Sequence, residues 1–164
     1  MLVHIRWWGT VSGVDASVND MDGSGVGSTQ QGLLDAAREV MVERRRGYHR
    51  MLRLIAELDG DGVAVATGYQ STVRLVEDLW RLDGPAARRL VDEADDLIPR
   101  RAPTGPLLAP RLPATAVQVE HGAIGPEHVA VIRRAMRTIG RIAGIDAGVA
   151  AAAEELLADW AATF

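Results

Sequence analysis

Cysteine is absent from the 164-residue chain, and so is lysine, because all 18 of its basic residues are arginine. The first absence excludes disulfides, a thiolate nucleophile and any zinc site built on sulfur. The second excludes a Walker A phosphate loop, a Schiff-base lysine and a Ser-x-x-Lys acyl-transfer pair, since each depends on an ammonium group. Aromatic residues make up only 4% of the chain, and Asn19 is its only asparagine. No run reaches the 18 or more apolar residues of a membrane span; the late stretch from Ala147 to Ala153 is short and mostly alanine. The first nine residues lack the hydrophobic region of a secretory signal, so a cytoplasmic protein and no membrane partner are the expectations. What remains is 48% hydrophobic and 24% charged, the composition of a globular domain. A single domain of this length buries roughly two-thirds of its unfolded surface, enough for a core without staples.

The net charge of −4 speaks against a protein coated in positive charge. Its distribution is uneven. Residues 1–98 hold 11 arginines against 16 carboxylates, residues 99–141 hold seven against Glu120 and Glu127, and residues 142–164 hold none against four. A basic segment is therefore set in an acidic chain.

Residues 9–28 are rich in Gly, Ser, Asp and Val without periodicity, and residues 1–28 read as a flexible leader carrying Trp7 and Trp8. The Gly23-Ser24-Gly25-Val26-Gly27 run follows no strand pattern, so a linker is preferred to a dinucleotide loop. Residues 29–164 read as one helical domain. Leu33, Ala37, Val40, Met41, Tyr48, Met51, Leu52, Ile55 and Leu58 form an apolar stripe on a long helix capped by Ser28 and stopped by Asp59-Gly60-Asp61-Gly62. Arg44, Arg45 and Arg46 sit on its polar side, where a solvated face with local ion pairs is the simpler account. A second helix is expected from after Ser71 to about Arg81, burying Val73, Leu75, Val76, Leu79 and Trp80, and a third from Pro85 to Leu97, with Ala87, Leu90, Val91 and Ala94 inward. Five prolines in residues 98–113 predict an irregular loop. Further helices are expected from Pro113 to Glu120, with Gly122 as a left-handed cap, from Pro126 to Gly140, and from Asp146 to Phe164. The last should bury Val149, Ala153, Leu156, Leu157 and Trp160. Only Val63-Ala-Val-Ala is ambiguous, and the fold class is all-α, an irregular multi-helix domain.

Three constellations bear on chemistry. On the helix from Pro126 to Gly140, Arg133, Arg137 and Arg141 recur at i, i+4 and i+8, a spacing suited to phosphates. Together with Arg100, Arg101 and Arg111 they form the candidate nucleic-acid-binding set. The glycine turn from Gly122 to Gly125 adds the outline of a helix-turn-helix. An amphipathic surface helix rich in arginine explains the same pattern without a ligand. The second constellation is Asp92, Glu93, Asp95 and Asp96, which invites a hard cation; acids at a helix C-terminus usually lie in water instead. The third is His4, His49, His121 and His128, which lack metal-pair spacing and a nucleophile partner and read as partly buried or capping residues. Tyr69 and Trp80 are candidates for base stacking, although Tyr48 and Trp80 lie in apolar stripes that point to the core. No catalytic residue, no metal ligand and no cofactor are expected.

Two stretches carry a resemblance. One runs Gly68-Tyr-Gln-Ser-Thr-Val-Arg-Leu-Val-Glu-Asp-Leu-Trp-Arg-Leu and continues at Ala86-Ala-Arg-Arg-Leu-Val. The other is Leu112-Pro-Ala-Thr-Ala-Val-Gln-Val-Glu-His-Gly-Ala-Ile-Gly-Pro-Glu-His-Val-Ala-Val-Ile. In this order, over roughly residues 30–164, the chain resembles the actinobacterial 13E12 repeat family, also called domain of unknown function 222. The resemblance implies an all-helical domain, which in many members precedes an HNH endonuclease module. That module's histidines, asparagine and cysteine pairs have no counterpart here, so no nuclease residues carry over, and the chain reads as a truncated or split member. The expectation is a non-catalytic domain that associates with DNA through residues 99–141. The alternatives are a helical interaction module with a separately encoded protein partner, a non-functional remnant, and, more remotely, a hydrolase using the four carboxylates with a divalent metal.

Overall fold

In a computed structural model of the chain, the described residues are 24–101 and 105–163. Contacts divide the chain into two compact units, Met1–Asp35 and Ala36–Phe164. The expected leader, with Trp7, Trp8 and His4, lies outside the described residues up to residue 23. From Ser24 the chain is already helical, which removes both the linker reading of residues 24–27 and the capping role of Ser28. The described part of the first unit is thus the opening of α1 (Ser24–Gly60), where residues 27–35 are exposed and Gln31 donates to Asp35.

Within the second unit, helix boundaries follow local chemistry closely. Helix α1 ends at Gly60, and Gly62 adopts the left-handed conformation at φ 65°. Val63–Ala66 resolves as a single helical turn, α2. The Ser71 side chain accepts the Arg74 N–H to start α3 (Thr72–Trp80), and Asp83 accepts the Ala86 N–H to start α4 (Gly84–Leu97). Helices α5 (Pro113–Glu120) and α6 (Pro126–Ile139) each begin with proline in the first turn, and α7 spans Ala147–Thr163. The proline-rich stretch holds one surprise, a two-residue antiparallel ladder pairing β1 (Arg100–Arg101) with β2 (Leu107–Leu108). It forms because none of the five prolines falls on those four positions, so each keeps its backbone N–H.

The core gathers Leu52 and Ile55 of α1, Val76 of α3, Leu90 and Leu97 of α4, Val119 of α5, Ile124, and Val129 and Ile132 of α6. Helix α3 packs on α4, and α7 lies against both α5 and α6. Three expected stripes are corrected, that of α3 only at Leu79, which is exposed. That of α1 is buried only at Tyr48, Leu52 and Ile55, whereas Leu33, Val40 and Met41 are exposed. On α7, Val149, Leu156 and Trp160 face outward and the buried positions are Glu154 and Ala158.

The reversal of α7 has a physical cause. Helix α5 starts at Leu112, which offers no side-chain cap. Glu154 supplies one from α7: its carboxylate accepts the backbone N–H groups of Ala114 and Thr115 at 3.2 and 2.7 Å and the Thr115 hydroxyl at 2.5 Å. A carboxylate at a helix N-terminus satisfies orphan amides and favours the helix dipole. In an alanine-rich helix with little amphipathic contrast, this anchor decides which face turns inward.

Candidate nucleic-acid interface

The expectations for the basic segment meet the structure along α4 and α6. Of the α4 carboxylates only Asp92 is exposed to water without a partner among the described residues; Glu93, Asp95 and Asp96 are engaged. Glu93 is 1% exposed and accepts a hydrogen bond from the Tyr48 hydroxyl at 2.8 Å. Arg133 of α6 places Nε 2.7 Å from Asp96 Oδ2 and Nη1 3.7 Å from Glu93 Oε1, with its own side chain only 11% exposed. Arg89 lies 3.9 Å from Glu93. Asp95 pairs with Arg100 at 3.1 Å and Arg111 at 2.7 Å, and Arg111 also reaches Asp96. Among the described residues no group of three or more acids and histidines is arranged to hold a metal ion. The sequence pattern missed this because the partners lie far apart in the chain.

Burial raises the pKa of the Tyr48 hydroxyl, and the adjacent Glu93 carboxylate adds to the effect. Burial also lifts Glu93 above the ordinary carboxylate range, against the opposing pull of the Tyr48 hydrogen bond and of Arg133 and Arg89. The network is a structural anchor between α1, α4 and α6.

The six candidate arginines therefore separate. Arg100, Arg111 and Arg133 are taken up by internal ion pairs. The side chain of Arg101 lies outside the described residues. Arg137 and Arg141 are exposed. Arg137 joins Arg88, Arg89, Arg133 and Arg134 around a groove of about 400 Å³ between α4 and α6, with Asp92 and Glu93 on the same wall. Among the described residues, the guanidinium groups of Arg88, Arg134 and Arg137 have no ion pair or hydrogen bond. Arg88 and Arg134 lie outside the six candidates drawn from the sequence. The available signal was the pair of adjacent arginines on each helix, Arg88-Arg89 and Arg133-Arg134, in which one member turns toward the carboxylates and the other toward solvent.

The helix-turn-helix outline is also altered. The five residues between α5 and α6 are held by α1 rather than presented to solvent. Arg44 donates to Glu127 at 2.6 Å, and Arg45 donates to the Ala123 carbonyl at 2.6 Å. Arg44 and Arg46 are exposed as expected, but the local pairing holds only for Arg46, 3.9 Å from Glu43, while Arg44 and Arg45 reach residues beyond their own helix. Arg44 holds the Glu127 carboxyl below its ordinary range. Gly122 sits at φ 72° where a Cβ would come 3.2 Å from the Arg46 side chain, so both conformation and space call for glycine. The first turn of α6, which would enter a groove in a helix-turn-helix, is thus tied to α1 through Glu127, whose carboxylate is already paired with Arg44.

The histidines and aromatics fit structural roles. His128 Nδ1 accepts the Gly125 N–H and closes the start of α6, while His49 is half-buried, and burial lowers its pKa. Trp80 packs against the core, and the Tyr69 hydroxyl donates to Asp78 at 2.5 Å. Among the described residues no helix is long and apolar enough to cross a membrane.

Comparison with known proteins gives a consistent family. Residues 34–164 match the model of a domain of unknown function, DUF222. The chain is 36% identical over 129 residues to the uncharacterized protein Rv1945 of Mycobacterium tuberculosis H37Rv, covering 79% of this chain and 28% of that protein. It is 42% identical over 91 residues to the uncharacterized protein Rv3466 of the same strain, and 45% identical over 91 residues to the uncharacterized protein Mb1614c of Mycobacterium bovis; each match covers 56% of this chain and 40% of the relative. The chain thus spans well under half the length of these relatives. No solved structure matches it. With the match covering all the helices of the second unit, the chain belongs to the DUF222 family.

Proposed function

We propose that this domain is a non-catalytic, cytoplasmic module that associates with nucleic acid through the groove between α4 and α6. The observation that carries the reading is the convergence of Arg88, Arg134 and Arg137, three guanidinium groups with no internal partner among the described residues, on one groove. Its other arginines, Arg89 and Arg133, are paired with Glu93, leaving three free cations there against the single free carboxylate of Asp92. Arginines facing solvent without a partner suit phosphate oxygens, where each contact releases a counterion. The resemblance to 13E12 proteins, many of which carry an HNH module, supports a DNA backbone as the ligand. The site has moved relative to the sequence expectation, because Arg133 and Arg111 hold the fold together instead.

The test is fluorescence anisotropy with generic duplex DNA across a salt series. Three phosphate contacts give a log–log slope of about −2.7, at roughly 0.9 per neutralised phosphate. Replacing Arg88, Arg134 and Arg137 by alanine should remove binding while the helical signal persists. Binding unchanged in that variant would overturn the assignment.

A second reading, a helical protein-interaction module, is favoured by α7. Val149, Leu156 and Trp160 share one stripe at helical spacing, and Trp160 is 57% exposed. Loss of a partner from the chain on Trp160→Ser, with DNA affinity retained, would support this reading.

A further inference from the structure

We infer that a second cleft, framed by the end of α1, by α4 and by the β1–β2 ladder, docks an extended peptide segment of a protein partner that alternates basic and aliphatic side chains. The cleft has a volume of about 880 Å³, within the range of ligand-sized sites. Three independent features define its occupant.

The first is an apolar floor made by Ile55, Val91, Ala94 and Ile98, continued by Leu107 and Leu108 of the ladder, which are exposed. Paired leucines left in water on a short strand are a surface awaiting cover. The second is the rim, where Glu57, Asp59, Asp61, Asp92 and Asp95 face only Arg53 and Arg100. Arg53 pairs with Glu57, Thr72 donates to Asp59, and Asp95 is held by Arg100 and Arg111. Asp61 and Asp92 have no partner among the described residues, so the rim presents unanswered negative charge. The third is Arg100 Nε, a buried donor without a hydrogen-bond partner among the described residues, in a residue that lines the cleft. A buried N–H left unpaired is costly, and a small shift of the Arg100 side chain, which is 31% exposed, would bring it to an incoming carbonyl oxygen.

A peptide answers all three. Its carbonyl accepts from Arg100, its aliphatic side chains cover the leucines, and its cationic side chains meet Asp61 and Asp92. A phosphate backbone fails at the rim, where like charges repel. The cleft therefore takes a different class of ligand from the arginine groove on the other side of Asp92.

The probe is a fluorescein-labelled Leu-Arg-Leu-Arg-Leu peptide added to the full chain, with a Leu-Glu-Leu-Glu-Leu peptide as control. Saturable binding is expected for the basic peptide alone. Asp61→Arg and Leu108→Asp, both at exposed positions, should each weaken it at least about tenfold. The Arg88, Arg134 and Arg137 triple alanine variant should retain it, which separates this inference from the nucleic-acid reading. In the unaltered protein, the Arg100 side-chain N–H resonance should shift on peptide addition. Equal binding of the two peptides, parental affinity in both cleft variants, or an unmoved Arg100 resonance would each overturn the proposal. So would concentration-dependent dimerisation abolished by Leu108→Asp, which would make a second copy of the chain the occupant.

Discussion

Glu154 on α7 caps α5 by accepting the Thr115 backbone N–H at 2.7 Å, so one helix completes the start of another 39 residues earlier in the chain. Glu154 is 3% exposed and its carboxylate also takes the Thr115 hydroxyl and the Ala114 N–H. Removing a buried acceptor leaves those donors unsatisfied. Glu154→Ala should therefore cost about 2–4 kcal/mol in chemical denaturation, more than an exposed N-cap loss of ~1 kcal/mol. Glu155→Ala, on the exposed side of the same helix, should stay within about 0.5 kcal/mol.

The Tyr48–Glu93 hydrogen bond should behave as a coupled pair. Tyr48→Phe keeps the ring in the core but strands a carboxylate oxygen, for an expected loss of about 1–3 kcal/mol. In the double variant with Glu93→Gln the two losses should not add, and a double-mutant cycle measures the difference. Additive losses would show that the hydrogen bond contributes nothing of its own.

Adjacent arginines should separate by role. Arg133→Ala leaves Glu93 buried with its main cation gone and should destabilise the domain by about 3–5 kcal/mol. Arg134→Ala and Arg137→Ala should change stability by no more than about 0.5 kcal/mol while lowering DNA affinity. Thermal melts and anisotropy titrations on the same three proteins decide this.

His49 makes stability depend on pH in a defined direction. Burial lowers its pKa below the ordinary value of 6.5, so the unfolded chain binds a proton more readily than the folded one. Its contribution to stability is present above pH 6.5 and is lost as the pH falls through the lower folded value. Denaturation midpoints should fall across that window in the parent, and the decline should be shallower in His49→Gln.

Glycine at position 122 is required twice over, by its positive φ and by the Arg46 side chain beside it. Gly122→Ala should cost more than about 1 kcal/mol. Gly27→Ala and Gly32→Ala meet nothing within 4 Å and should be neutral or stabilising in α1.

The sequence by itself determined the helical class and most helix ends. Ser71, Asp83 and the Gly125-Pro126 pair mark their boundaries through contacts that reach no more than four residues, and Pro113 and Gly122 do so through their own backbone conformation. Local rules of capping and φ restriction act within that range, so they are legible without a fold. The arginine spacing at 133, 137 and 141 was legible too, but not its use. Arg133 meets Asp96 across 37 residues of chain, and Arg44 meets Glu127 across 83. Only the packing of α6 and α1 against their neighbours settles which guanidinium groups neutralise buried acids and which are left for a ligand. The same holds for α7, where Val149, Leu156 and Trp160 at helical spacing point outward. A buried carboxylate with three donors outweighs a weak apolar stripe, and those donors belong to another helix.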